Sequence, residues 1–591
     1  MNASSIQLAL DELSNLGVVE EFQAGELLIR NAEPDHSLVL IVEGELESFS
    51  FNEDLQTQRH LQTMLVGEIA SLPINESSGS RLLVRATQKS RVCRLPVELQ
   101  QELSNGQHPA AKHYMALLQH TLLSQAQKTL HVNPENEQHS PVVDAFVRRS
   151  LIAQSSLQHW PEDRIDELIG DIADAVNRQA WMLAEAAISE TGMGVVAHRV
   201  QKILLGTMEI AASLRGQPGS GSLAIESPGV DTITVPMGVI LGLIPVTNPV
   251  ETLVFKVLIA LKSRNSVILS CHRKARQVSL QTVQIIRDVL ARHEMNPDLV
   301  QTPDLPPTRE LTSLLMSHPD VSFILATGGT NMVRSAYRSG TPSIGVGKGN
   351  APVWICADAN LERVAEQIVT SKAFDNGVVC GSENNLLVDH EIVQAFAQSL
   401  CDAGAAVLNP SETLSLLRVI FTEGKLGEQW LGKSAQHICQ AAGISRPNRI
   451  ELIVVPQMVT QLDSPLFREK LAPIVSMVTI RGEQQALATT RTILSHEGRG
   501  HTAIIHTHDR AKVDAFAKAA DVCRVLVNSP GTQGCIGACN GLELSWTLGC
   551  GTAGGSSTSD NVTYRHLQNI KRIAHAKTEI KQANAEIRKL G

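Results

Sequence analysis

The segment FDNGVVCGSENNLLVD, residues 374–389, sets Cys380 beside Gly381 and Ser382, with Gly377 shortly before it. A cysteine thiolate is intrinsically very nucleophilic, and small neighbours leave the backbone open to close approach by a substrate. Asp375 and Asn376 precede it as turn formers, and the run that follows reads as a strand. A thiol so placed could attack a carbonyl carbon; the competing reading is a small buried hydrophobe, the usual state of a lone cysteine. The other nine, Cys93, Cys271, Cys356, Cys401, Cys439, Cys523, Cys535, Cys539 and Cys550, show no framework spacing, so reduced thiols in a cytoplasmic protein are expected. Cys535 and Cys539 lie in a Gly-rich stretch, but no second Cys or His pair completes a tetrahedral set, and no metal site is expected.

Elements able to position such a cysteine follow from the hydrophobic pattern. Residues 17–96 alternate short β-type runs with turns (VVEEF, SLVLIVEGELESFSF, RLLVRATQKSRVCRLP), the pattern of an all-β sandwich or jelly roll. A helical stretch at about 96–128 and the polar, proline-containing HVNPENEQHSP, read as a linker, come next. From Pro141 the pattern changes to long amphipathic helices (about 143–156 and 161–189), then strands alternating with helices. PMGVILGLIP, NPVETLVFKVLIALKSR and NSVILSC make one βαβ unit; VSFILATGGTNMVRSAYRSG repeats the strand, Gly turn and helix. A doubly wound parallel sheet is expected, with ligands at the carboxyl ends of its strands. TGGT is not the GxGxxG fingerprint, so spacing alone makes a weak nucleotide inference.

At 591 residues the chain is too long for one core, and three or four domains are expected. A composition of 43% hydrophobic and 19% charged residues is that of a soluble globular protein. No apolar stretch is long enough to span a bilayer, and residues 1–30 lack the basic start and apolar core of a secretory signal. A net charge of -9 without a basic stripe argues against nucleic acid as principal ligand.

FDNGVVCGSEN resembles the nucleophile segment of the aldehyde dehydrogenase superfamily, and more closely its CoA-acylating branch, which includes the acetaldehyde dehydrogenase half of aldehyde-alcohol dehydrogenases. ILATGGTNMVRSAYRSGTPSIGVGKGNAPVWI, EKLAPIVSMV, GRGHTAIIHT and TLGCGTAGGSSTSDNVTYRHL resemble the same branch in the same order, from about residue 142 to about 575. The resemblance implies an NAD-binding domain at 143–348, a catalytic domain at 349–556, and a segment 557–591 returning to the NAD-binding and oligomerisation region of a homo-oligomer. It makes Cys380 the nucleophile that forms a thiohemiacetal and then a thioester. Asn248 in PVTNP matches the oxyanion donor, although on local chemistry alone it would cap the following helix. Hydrolytic members carry a glutamate before a Gly-Gly-Lys stretch; here SIGVGKGNAP has Val346 and Gly347, so coenzyme A rather than water is the expected acceptor. Glu469 in REKLAP matches the ribose-binding glutamate, Thr327, Gly328 and Gly329 fall where N–H groups face the dinucleotide, and Ser270 and His272 fall at the adenosine ribose. The lysine common in hydrolytic members is missing, which leaves NAD against NADP open. His501 in GRGHTA is a candidate base, or a structural hydrogen-bonder.

AGELLIRNAEPDHSLVLIVEGELE and VGEIASLP resemble the jelly-roll cyclic-nucleotide-binding domain over about residues 17–128. Gly67 and Glu68 fit its phosphate-binding cassette, which implies a cyclic nucleotide such as cAMP or cGMP. Arg81 departs from the pattern: aligning Val84 and Ala86 with the closing residues places Ser80 at the phosphate arginine, and aligning Arg81 brings Leu82 and Leu83 where small residues belong. A linker at 129–142 leads into the dehydrogenase helices, with no helix-turn-helix between. The leading expectation is thus an NAD-linked, CoA-acylating dehydrogenase of a short aldehyde with a regulatory front domain at 1–128. Its rivals are a nucleotide-responsive scaffold with an inactive dehydrogenase fold, and a dehydrogenase of a functionalised aldehyde such as sulfoacetaldehyde.

Overall fold

The computed structural model describes residues 3–29, 38–52, 57–66, 69–70, 80–105, 108–115, 117 and 121, and residues 140–575 apart from 158, 159, 222, 228, 229 and 423. The chain divides into two compact units, Met1–Ala145 and Phe146–Gly591. In the first, two four-stranded sheets form, all their pairings antiparallel. The period-2 alternation of strand Leu38–Glu43 explains its placement: Val39 and Ile41 join a core with Leu28, Leu46, Met64 and Val84 from the other sheet. Leu40, on the opposite face, packs on Leu10, Leu13 and Leu103 of the flanking helices Ala3–Ser14 and Val97–Ser104. Residues 131–139 of the expected linker lie outside the described residues.

The boundary falls inside helix Pro141–Leu157, and helices Glu162–Arg178 and Ala180–Thr191 follow; the single helix expected over 161–189 is broken at Gln179, whose φ of -108° and ψ of 11° leave the helical region. Five parallel strands follow, in the order Val300–Gln301, Ser266–Cys271, Val239–Ile244, Val321–Thr327, Ser343–Val346. The order reverses between Val239–Ile244 and Val321–Thr327, so a crevice opens beyond their carboxyl ends. Helices cover such a sheet, which is why VILGLI is apolar throughout and all six residues are buried. Helix Pro249–Lys262 is buried along its whole length, its two inward lysines included.

A second parallel sheet of seven strands runs Ala405–Val407, Leu452–Gln457, Ile474–Ile480, Glu383–Asp389, Ala351–Ile355, Gly500–His506, Val522–Val527. Near the C-terminus, Gln568–Ala574 pairs antiparallel with Val230–Pro236, itself paired with Leu223–Ser227. No helix among the described residues is long and apolar enough to cross a membrane.

Candidate active site

Helix Leu361–Ala373 stops at a turn of unusual backbone: Asp375, Asn376 and Gly377 have φ of 50°, 55° and 76°, three successive residues in the left-handed region. Non-glycine residues hold that conformation only where their surroundings fix them. Asp375 is fully buried; its Oδ1 accepts from Val195 N–H at 2.8 Å, and its Oδ2 meets Lys202 Nζ at 2.5 Å and Arg199 Nε at 3.0 Å. Its own N–H donates to His198 Nδ1 at 2.9 Å, and the imidazole stacks on Phe374 at 4.7 Å. Gly194, at φ 94°, must lack a side chain, since a Cβ would run into the Asp375 carboxylate. The turn hands the chain to Cys380, which is half-buried at the head of strand Glu383–Asp389. Burial pushes its thiol well above the ordinary value, helped by Cys535, Glu469 and Cys550 and opposed by Arg524.

Cys380 lines a tightly closed cleft with Glu469, Lys372, Lys470 and Gly349. Glu469 Oε1 accepts from Gly349 N–H at 3.0 Å; burial, then Glu497, raise its carboxyl to about 7 against the pull of Lys348. Lys372 donates to Lys470 O at 2.9 Å and to Ser382 Oγ at 3.1 Å, and burial lowers it to about 8. His501 is fully buried with Cε1 3.6 Å from where a Gly381 Cβ would stand; its Nδ1 engages Thr502 Oγ1 at 2.9 Å and its Nε2 has no partner. Burial and Arg524 lower the ring to about 3, so it is neutral at physiological pH. Cys535 is buried against Gly381, while Cys539 is exposed, and no group of metal-ligating side chains forms among the described residues.

Asn248 stands at the N-cap position of helix Pro249–Lys262 yet makes no capping bond with its side chain. The cap expected from local chemistry is displaced because Asn248 Oδ1 accepts from Lys202 Nζ at 2.7 Å, and Nδ2 reaches Thr247 Oγ1 at 3.2 Å. Thus the turn before Cys380 and the amide of Asn248 share one ammonium, which the sequence reading missed.

Of the residues expected at the dinucleotide, Glu469 lines this cleft, and the others lie at the carboxyl ends of strands of the five-stranded sheet. Ser270 Oγ bonds Thr312 Oγ1 at 3.1 Å; His272 Nδ1 accepts from Lys274 N–H at 3.1 Å and its ring is lowered by burial; Thr327 Oγ1 faces Thr547 Oγ1 at 3.5 Å. Gly329 opens on free space at the start of helix Thr330–Arg338, and Gly328 is nearly as open. That open edge, with hydroxyls at two strand ends and the uncrowded Gly328–Gly329 turn, fits an extended dinucleotide. Beneath it Lys256, fully buried, donates to Leu243 O at 2.6 Å and Leu325 O at 2.8 Å. The signal for Lys256 was present: a charge in an apolar helical run has to find partners inside. In the front unit, Gly67 and Glu68 lie outside the described residues, and Arg81 is placed only by its backbone, opposite Phe51.

The sequence profile of the Aldehyde dehydrogenase family matches residues 127–565. The chain belongs to that family. Its family relatives include aldehyde-alcohol dehydrogenase 2 of Entamoeba histolytica, 34% identical over 71% of this chain and 50% of that one. The succinate-semialdehyde dehydrogenase (acetylating) of Clostridium kluyveri is 30% identical over 75% of this chain and 98% of that one. Among solved structures, an acetylating aldehyde dehydrogenase from Geobacillus thermoglucosidasius is similar with a TM-score of 0.71 at 35% identity, covering 74% of this chain and 97% of that one. The chain spans about half the length of the aldehyde-alcohol dehydrogenases it matches. The family match starts at residue 127 and so leaves the front unit's sheets outside it.

Proposed function

We propose that the chain is a CoA-acylating aldehyde dehydrogenase that converts a short aldehyde, NAD⁺ and CoA reversibly to acyl-CoA and NADH. What supports this reading is that Lys202 joins the turn before Cys380 to an asparagine amide not spent on its helix, and that strand Ser343–Val346 ends without a carboxylate. After loss of its proton to solvent, Cys380 Sγ bonds the carbonyl carbon as a thiolate; the oxygen, becoming an alkoxide, takes hydrogen bonds from Cys380 N–H and Asn248 Nδ2. Thr327, Gly328, Gly329, Ser270 and His272 at the open sheet edge, with Glu469 on the nicotinamide-side ribose, would hold NAD⁺, which would supply the hydride acceptor. Collapse of the thiohemiacetal leaves an acyl thioester on Cys380. CoA attacks that carbonyl as its thiolate and the Cys380 thiolate departs, charge for charge, so this step needs no base; His501, held neutral by burial with Nε2 unpartnered, is a hydrogen-bond acceptor beside Gly381 and not a strong base. Water is a poor substitute acceptor, because Val346 and Gly347 occupy the position of the water-activating carboxylate and Glu469 Oε1 is engaged by Gly349 N–H.

Acetaldehyde is the simplest substrate; relatives named for succinate semialdehyde and sulfoacetaldehyde make acidic aldehydes the alternatives. NADP is the alternative dinucleotide, since the strand end at Ser270 and His272 is followed by Arg273 and Lys274 and no carboxylate. The front unit we read as a cyclic-nucleotide-binding-like jelly roll that regulates or assembles a cytoplasmic homo-oligomer; two antiparallel sheets around a shared core support the sandwich part of that reading. The deciding experiment follows NADH or NADPH formation from a panel of short and acidic aldehydes with and without CoA. CoA-independent, sustained acid formation refutes the acylating reading.

A further inference from the structure

Between helix Val196–Leu204, helix Pro249–Lys262 and the turn before Cys380 lies a buried cluster of four charges: Arg199, Lys202, Glu251 and Asp375, none more than 1% exposed. Desolvating ions is costly, and a cluster whose only task were packing would be replaced by apolar side chains without loss. Its layout is directional. Lys202 bonds Asp375 Oδ2 at 2.5 Å and is the member that reaches Asn248 Oδ1, at 2.7 Å; Arg199 shares Asp375 Oδ2 at 3.0 Å, donates to Thr247 O at 2.6 Å and stands 3.9 Å from Glu251. The helix carrying both cations passes directly into a π-turn, Leu205–Glu209, where Gly206 has no room for a Cβ against Glu251. Such a turn shifts the register of the helix by one residue and is frequent at functional sites.

An ammonium has donors and no acceptor, so it can face only the oxygen end of the Asn248 amide. The other end, Nδ2, is thereby turned away from the cluster, and Asn248 is partly exposed while Lys202 is fully buried behind it. We propose that Lys202 is a positioning residue for the aldehyde-oxidising step: it fixes the Asn248 amide with Nδ2 toward the reacting oxygen and ties that amide, through Asp375, to the turn that carries Cys380. The inference rests on the acylating dehydrogenase reading above and adds a residue to it. Asn248 supplies the donor, Cys380 the sulfur, and Lys202 the fixed relation between them.

The test measures the pre-steady-state NADH burst and kcat/KM in the full-length protein for Lys202→Met, Asn248→Ala and their combination. Asn248→Ala is expected to cost about 100-fold, the usual effect of losing one oxyanion donor. Lys202→Met is expected to lose roughly tenfold to 100-fold in the burst rate with KM for NAD unchanged, and the combination to fall no further than Asn248→Ala alone. Full multiplication of the two losses overturns the proposal. A second pair covers misfolding: Lys202→Met with Asp375→Asn leaves neither charge unpaired, and the burst deficit is expected to persist in it. A wild-type burst there overturns the proposal, as would a loss of iodoacetamide alkylation at Cys380 equal to the loss of burst, since Lys202 would then act on the turn alone. Failure of the wild-type protein to reduce NAD⁺ with any aldehyde and CoA refutes the underlying function instead.

Discussion

Replacing Glu469 with glutamine removes a charge that the fold holds at a disadvantage, so it should stabilise the protein in one pH range and leave it unchanged in another. Burial and Glu497 raise this carboxyl from 4.5 to about 7. At about 1.4 kcal/mol per pKa unit, the folded protein with Glu469 ionised is disfavoured by about 3 kcal/mol, less where Lys348 and solvent relieve it. The folded state binds this proton more tightly than the unfolded state does. The stabilising contribution is therefore complete below about pH 4.5 and is lost as pH rises through 7. Glu469→Gln keeps an acceptor for Gly349 N–H and cannot ionise. Calorimetric melts at pH 5 should match the wild type, and melts at pH 8.5 should lie higher by a few degrees. In the same samples KM for NAD should rise about tenfold or more if the carboxylate holds a ribose, a loss of a charged hydrogen bond. A variant that melts lower at pH 8.5 would refute the reasoning, because the carboxylate would then be ionised and well paired in the folded protein.

Cys380→Ala should abolish turnover while preserving the melting temperature, and Cys380→Ser should be nearly as inactive, since a hydroxyl has no comparable anion fraction near neutral pH; activity near wild type in either excludes the thioester route. Iodoacetamide should alkylate Cys380 more slowly at pH 7.5 than it does a free cysteine and faster as the pH climbs, given the burial that holds the thiol protonated; a rate above the free thiol's contradicts this. In Asn248→Ala the melting temperature should stay within a few degrees of wild type, because no helix cap is lost, while the NADH burst falls about 100-fold; the opposite pattern would restore the capping role. A chain starting at residue 129 should remain folded and active, as the family match begins at 127 and the front unit has its own cores; Glu68→Ala should remove any cyclic-nucleotide effect on kcat/KM in the intact protein.

Strands Val239–Ile244, Ser266–Cys271 and Val321–Thr327, and Glu383–Asp389 after the cysteine, are legible in the sequence because they are buried on two faces and read as apolar runs bounded by turn residues. Cys380, too, announced itself by its small neighbours, and Asp375 and Asn376 by their turn chemistry. Helix Val196–Leu204 was not legible as a support for the site: nothing in the short segment around Arg199 and Lys202 marks them as inward-facing, and the partner that draws Lys202 inside, Asp375, is 173 residues away. Asn248 shows the same limit in reverse. Its local chemistry was read correctly, but a charged donor from another helix competes better for its oxygen than the neutral N–H groups of its own helix do. Period-based reading sees neither event, since both are settled by what folding brings alongside.

The four residues Gly347–Asn350 join the edge strand of the five-stranded sheet to the centre of the seven-stranded one. Half of this crossover is clamped to the catalytic side. A Cβ on Gly349 would run into the Cys380 carbonyl, and Asn350 Nδ2 donates to Phe467 O at 2.7 Å while its Oδ1 accepts from Asn384 and Asn385. Gly347 is less crowded, a Cβ there meeting nothing nearer than Gly554 O at 3.7 Å, and its N–H bonds the Cys550 thiol. Lys348 is moored to Glu497 at 2.9 Å. Every residue of the crossover is therefore held by a neighbour, and because Gly349 is packed against the Cys380 carbonyl, any shift transmitted along it between the sheets reaches the backbone that carries the sulfur.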